Sequence, residues 1–216
     1  VIHFQSHIVA GRGLATAAEK YGIRLVGTNH TLPEDLIQHV PLLPRFIVEW
    51  VVRVQLRSAR HWFGKAEAVT APTRRAADYF ERTTGVPNVH AISCGIDSSL
   101  YTPDFSPRTR NVVTFLGRLD EEKHVDELLA AVAKLDPALD VQLEIVGDGE
   151  SRPRLEAKAR ELGIADRTTF FGKVSYEELR AALTRSTVFG MPSRAELQSI
   201  ATMEALASGL PVVAAN

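Results

Sequence analysis

The chain has 216 residues, 45% of them hydrophobic and 24% charged, enough for one large or two small cores. Its formal net charge of -1 excludes a general attraction to polyanions, so nucleic acid is not an expected partner. A single cysteine, Cys94, excludes an intrachain disulfide and a cysteine-built zinc site, and no run approaches the roughly 20 apolar residues that span a bilayer. With no charged-then-apolar leader at its start, the chain is expected to be cytoplasmic. It opens on Val1-Ile2 without methionine and stops in the strand-like run Pro211-Val212-Val213-Ala214-Ala215-Asn216, so truncation at both ends is expected.

In chain order, the first half predicts helices over 14–21, 44–63 and 74–83 and strands over 24–28, 68–71 and 89–93. The polar stretch 97–110, with Pro103 and Pro107, reads as a linker. Beyond it the apolar period switches regularly. Strands are expected over 112–116, 141–146, 169–171, 187–191 and 211–215, with helices over 125–135, 152–162, 176–184 and 200–208, the last closed by Gly209. Alternating strands and helices with short loops predict an α/β fold, its parallel sheets doubly wound, with ligands beyond the carboxyl ends of the strands.

Candidate chemistry gathers at two such ends. Strand 112–116 runs into Gly117-Arg118-Leu119-Asp120-Glu121-Glu122-Lys123, where the glycine allows close backbone approach and Arg118 and Lys123 offer two cations to a diphosphate. A solvated surface ion pair fits the same residues. Gly147-Asp148-Gly149 forms a second tight turn. In the segment from Pro192 to Val213, Ser199 is placed to cap a helix whose free N–H groups would receive phosphate. Glu196 precedes that helix and Glu204 lies within it. Carboxylates beside a phosphate site need another task, such as accepting hydrogen bonds from sugar hydroxyls; the plain alternative is a loop residue and a surface helix residue.

This pattern resembles family 4 of the retaining glycosyltransferases, which are built on the GT-B fold of two Rossmann-like domains. Glu196 and Glu204 have the family spacing of two glutamates separated by seven residues, followed by a small-residue helix and Gly209-Leu210-Pro211-Val212-Val213. Gly117 to Lys123 matches a second motif, and Ile92-Ser93-Cys94-Gly95-Ile96-Asp97 with Tyr101-Thr102-Pro103 matches the interdomain stretch. The resemblance implies two incomplete doubly wound domains: residues 1–108, the C-terminal part of an acceptor-binding domain plus linker, and 109–216, the N-terminal part of a nucleotide-sugar-binding domain. It implies that Arg118 and Lys123 hold the donor diphosphate and stabilise the leaving group, that Glu204 binds ribose and Glu196 the donor sugar, and that Val174 contacts the base. Gly117 and the backbone of Leu197, Gln198, Ser199 and Ile200 complete the expected donor site. Leu197 and Gln198 stand where the family often has Gly and Phe, which bears on the donor sugar. His30, in Val26-Gly27-Thr28-Asn29-His30-Thr31-Leu32-Pro33-Glu34-Asp35, stands where the family has a histidine between donor phosphate and acceptor; His3 and His7 match a neighbouring motif less closely.

The helix over 44–63 interleaves Phe46, Trp50 and Val54 with Arg53, Arg57 and Arg60. Such a helix can lie on an anionic membrane surface, with Trp50, Arg53, Arg57 and Arg60 facing it, or pack on its own domain with a solvated stripe. The expectation is a retaining hexosyltransferase using a UDP- or GDP-sugar as co-substrate, without a cofactor or a metal (no Asp-x-Asp motif is present), and acting on a glycolipid or phospholipid as a cytoplasmic protein peripheral to the membrane. The alternative is a module that binds a sugar nucleotide without turnover, the fragment alone being inactive. A nicotinamide-dependent oxidoreductase lacks its Gly-x-Gly-x-x-Gly after any strand.

Overall fold

Three phenylalanines centre the first half of the protein. In the computed structural model, which describes residues 1–31, 44–194 and 196–215, Phe63 packs tilted against Phe4 and edge-to-face against Phe80, with ring centroids 4.8 and 5.0 Å apart. Leu32, Pro33, Glu34, Asp35, Ala195 and Asn216 lie outside the described residues. The chain forms two units, Val1–Cys94 and Gly95–Asn216.

In the first unit the elements are β1 (Ile2–Phe4), α1 (Val9–Tyr21), β2 (Leu25–Thr28), α2 (Arg45–Phe63), β3 (Ala68–Ala71), α3 (Arg74–Thr84) and β4 (Val89–Ala91). The strands are parallel in the order β1-β2-β3-β4. Their pleat sends Phe4, Leu25, Val69 and Val89 into the core with Phe63 of α2 and Phe80 of α3. Each such ring contributes on the order of 1.5–3 kcal/mol by leaving water. The opposite sheet face is polar: His3 Nε2 lies 2.7 Å from Thr28 Oγ1, which lies 2.7 Å from Thr70 Oγ1.

Here the structure adds β1 and starts the first helix at Val9, earlier than residue 14. Three strand residues are too few to show a period, and Gly11 and Gly13 lower helix propensity. Gly11 answers to packing, since a Cβ there would fall 1.5 Å from the Ser6 carbonyl oxygen.

The second unit contains β5 (Asn111–Leu116), α4 (Val125–Ala133), β6 (Val141–Val146), α5 (Arg152–Glu161), β7 (Thr168–Gly172), α6 (Tyr176–Arg185), β8 (Val188–Met191), α7 (Ile200–Ala207) and β9 (Val212–Ala214). All pairings are parallel, in the order β7-β6-β5-β8-β9. Phe115, Leu129, Leu143, Ile145 and Phe189 are wholly buried in its core. Helix starts follow their caps: Ser175 and Glu178 form a reciprocal capping box on α6, and Ser199 Oγ accepts from Thr202 N on α7. The stretch 97–110 packs into this unit instead of hanging free as a linker. Arg108 donates to Asp104 at 2.8 Å and to the Ser186 carbonyl at 3.0 Å, and Tyr101 bonds to α7.

Both units are Rossmann-like α/β layers. They differ in winding, because the described strands of the first follow chain order whereas the second turns back at β5. From β5 the chain builds outward through β6 and β7, then returns to place β8 and β9 on the other side. Loops leaving neighbouring strands β5 and β8 therefore diverge, which opens a crevice at their carboxyl ends.

Candidate functional site

Two segments meet at that crevice. After β5 the chain passes through Gly117 and Arg118 into a 3₁₀ turn at Glu121–Lys123; after β8 it passes through Ser193, Glu196 and Ser199 into α7. Lys123 Nζ donates to Glu196 Oε1 at 2.7 Å, tying the segments together. Only 15% of the Lys123 side chain and 24% of Glu196 are exposed, so this pair is shielded well beyond an ordinary surface ion pair. Ser193, itself buried, donates to the Glu122 carbonyl at 3.4 Å and braces the same junction.

Glu122 has no role assigned from the sequence. Its Oε1 accepts from Arg118 at 2.7 Å and lies 3.7 Å from Lys123 Nζ, with 11% of the side chain exposed. The four-residue spacing from Arg118 was the available signal. Arg118 also binds Asp120 and is 70% exposed. The two cations thus face three carboxylates, Asp120, Glu122 and Glu196, within one ion-pair network.

Backbone contact fixes the loops beneath the network. A Cβ at Gly147, where φ is 128°, would come within 1.9 Å of the Gly117 carbonyl oxygen, so only glycine fits there. Gly117 N donates to Val146 O and Leu119 N to Asp148 O, both at 3.0 Å. The close approach expected of these glycines is therefore loop against loop.

In α7, the N–H groups of Ile200 and Ala201 have no acceptor among the described residues, while those of Thr202 and Met203 bond to Ser199. This leaves two donors at the positive end of the helix dipole. Gln198 Nε2 lies 3.4 Å from Met203 Sδ, and Leu197 is half-buried in the preceding turn. Glu204 is half-buried, not a stray surface residue, and accepts a 2.6 Å hydrogen bond from the Tyr101 hydroxyl. Val174, half-buried, follows the end of β7, two strands from β5. Among the described residues no group of three or more His, Cys, Asp and Glu side chains is placed to hold a metal ion.

In the first unit the candidate residues do not converge. His30 is exposed just past β2, and buried Asn29 folds back onto Thr31 through its side-chain amide. His3 is tied to Thr28. His7 is buried, bonds Gln55 Oε1 at 3.1 Å, and is held below the ordinary imidazole range mainly by desolvation. Along α2 only Ala59 and Phe63 are buried; Phe46 and Trp50 are 71% and 61% exposed, and Arg53, Arg57 and Arg60 are exposed. The Arg60 guanidinium reaches towards Gly85 at the end of α3. No described helix is long and apolar enough to cross a membrane.

A family model for group 1 glycosyl transferases matches residues 103–216, and one for glycosyltransferase family 4 matches residues 1–100. A GDP-mannose-dependent alpha-mannosyltransferase of Mycolicibacterium smegmatis is 31% identical, over 99% of this chain and 55% of its own length. The chain spans about half the length of the curated relatives it matches. Sucrose-phosphate synthase from Thermosynechococcus elongatus superposes with a TM-score of 0.81 at 23% identity, over 99% of this chain and 55% of that one. An Anabaena protein solved with UDP and glucose gives 0.76 at 21% identity, over 98% and 58%. These two likenesses show the fold, GT-B. With one family model laid across the segments that Lys123 and Glu196 join, and another across the first unit, the chain belongs to the group 1 glycosyltransferases.

Proposed function

We propose that the chain is part of a retaining glycosyltransferase that moves a hexose from a UDP- or GDP-sugar to a membrane glycolipid or phospholipid. The second unit, in which the stretch 95–108 packs with residues 109–216, binds the donor, and the first unit, Val1–Cys94, serves the acceptor. The observation that carries this reading is the shielded Lys123–Glu196 pair at the β5/β8 crevice, three residues before the capped start of α7. Both nucleotides stay in view because the M. smegmatis relative is named for GDP-mannose and the Anabaena structure holds UDP.

Three carboxylates against two cations leave no spare positive charge for a diphosphate. The donor must therefore free Lys123 by taking Glu196. Sugar hydroxyls donate to Glu196, and Lys123 and Arg118 turn to the diphosphate beside the N–H groups of Ile200 and Ala201. Breaking the sugar–phosphate bond puts negative charge on the departing nucleoside diphosphate, and these donors, once turned to it, stabilise that charge as it develops. Glu204 accepts from ribose, Val174 packs against the base, and the backbone of Gly117, Leu197, Gln198 and Ser199 completes the donor pocket. His30 positions the reacting groups. The unburied stripe of Phe46 and Trp50 with Arg53 and Arg57 on α2 supports a seat on an anionic membrane surface, where a lipid acceptor would be met.

The test is turnover of the full-length protein carrying Lys123→Ala, with melting temperature followed in parallel because Glu122 and Glu196 lose their shared cation. Transfer should fall by about 10²–10³. Wild-type transfer by the variant would remove the leaving-group role.

A further inference from the structure

Tyr101 enters the sequence reading only as part of a motif, yet it makes the longest-range side-chain contact to a proposed donor residue. Its hydroxyl donates to Glu204 Oε1 at 2.6 Å across 103 positions of chain. Glu204 Oε2 has no hydrogen-bond partner among the described residues. The backbone at Glu204 is fixed, since Ser208 N and Oγ donate to its carbonyl at 3.0 and 2.9 Å and Ala205 beside it is wholly buried. That leaves the side chain's own torsions as the freedom to be removed, and a half-exposed glutamate otherwise samples several rotamers. A hydrogen bond to one carboxylate oxygen from a phenol anchored on the chain entering β5 removes it.

Chemistry makes the contact directional. A phenol beside a carboxylate donates and never competes as a negative charge while it keeps its proton. Burial, then the hydrogen bond to Glu204, pushes the Tyr101 phenol up to about 12, so it remains a donor through the working pH range. A charge-assisted O–H to carboxylate bond is also the stronger kind. With Oε1 held, Oε2 is the oxygen left for a ligand, and a single hydroxyl donor, the 2′-hydroxyl of a ribose, suits it.

We propose that Tyr101 is a positioning residue that sets the plane of the Glu204 carboxylate, and that through it the site selects ribonucleotides over 2′-deoxyribonucleotides. The inference rests on the proposed ribose role of Glu204, and the experiment separates the two. Isothermal titration of the full-length wild type, Tyr101→Phe and Glu204→Ala uses UDP, GDP and their 2′-deoxy forms as probes. In the wild type the ribo form should bind about tenfold or more tightly than the deoxy form, as expected for a hydrogen bond to a charged group. Glu204→Ala should erase that preference. Tyr101→Phe should narrow it by about three- to tenfold, by weakening the ribo form and leaving the deoxy form unchanged. Loss of affinity for both forms alike would make Tyr101 a purely structural residue and overturn the inference. A full preference in Tyr101→Phe together with none in Glu204→Ala would overturn it while sparing the ribose role. A preference that survives Glu204→Ala, or is missing from the wild type, overturns both.

Discussion

The two sheets are made from the same strand-helix repeat, yet only the second draws its candidate residues together. There the chain reverses direction at β5, the loops after β5 and β8 part, and Lys123 and Glu196 meet in the gap at 2.7 Å. In the first sheet the described strands advance one after another, and the histidines disperse: His3 to Thr28, His7 to Gln55, His30 to the surface. Winding, more than composition, decides where side chains from distant segments converge.

That contrast can be broken or sharpened by experiment. Among the changes in the first unit, the largest effect is expected at His30. If the first unit takes part in the reaction, His30→Ala should lower turnover by about 10²-fold while nucleotide affinity, measured by titration, stays at the wild-type value. Unchanged turnover would confine the chemistry to the second unit. A smaller effect belongs to α2: exchanging Arg53 and Arg57 for Glu should weaken sedimentation with anionic liposomes at low salt by at least about fivefold per residue, given about 1 kcal/mol for each cation near such a surface. A wild-type protein that ignores anionic lipid would leave the apolar stripe without this role.

The smallest effect is at His7. Desolvation lowers its folded-state pKa, so as pH falls through the ordinary value of 6.5 the unfolded chain takes up a proton before the folded one does. Stability of the first unit should therefore drop on acidification below that point. His7→Gln should flatten the slope of melting temperature against pH between about 5 and 7, and an unchanged slope would clear His7 as its source.

Much of this was legible in the chain. The alternation from residue 112 onward, the Ser199 cap and the paired glutamates at 196 and 204 lie within short windows where helix and strand periods act. What escaped is of two kinds. Glu122 was visible but ambiguous, because an acidic residue four positions from an arginine is equally at home on a solvated turn. Tyr101 was invisible to local reading, since its partner is 103 residues away and only the packing of 97–110 onto the second unit brings them together. The helical turn before residue 14 lay beyond local reading too: Gly11, a poor helix former by propensity, is required there by the Ser6 carbonyl.

The main chain of Gly147 is pressed against Gly117 so closely that no other residue fits. The loop bearing Arg118 and Lys123 is thereby braced from behind, and its geometry is inherited from a neighbouring turn. A substitution at 147 would push that loop outward and loosen the grip of Lys123 on Glu196 from 24 positions away. A screen for inactive variants would score such a change alongside the charged residues themselves, so the inheritable footprint of this site extends into the turn behind it.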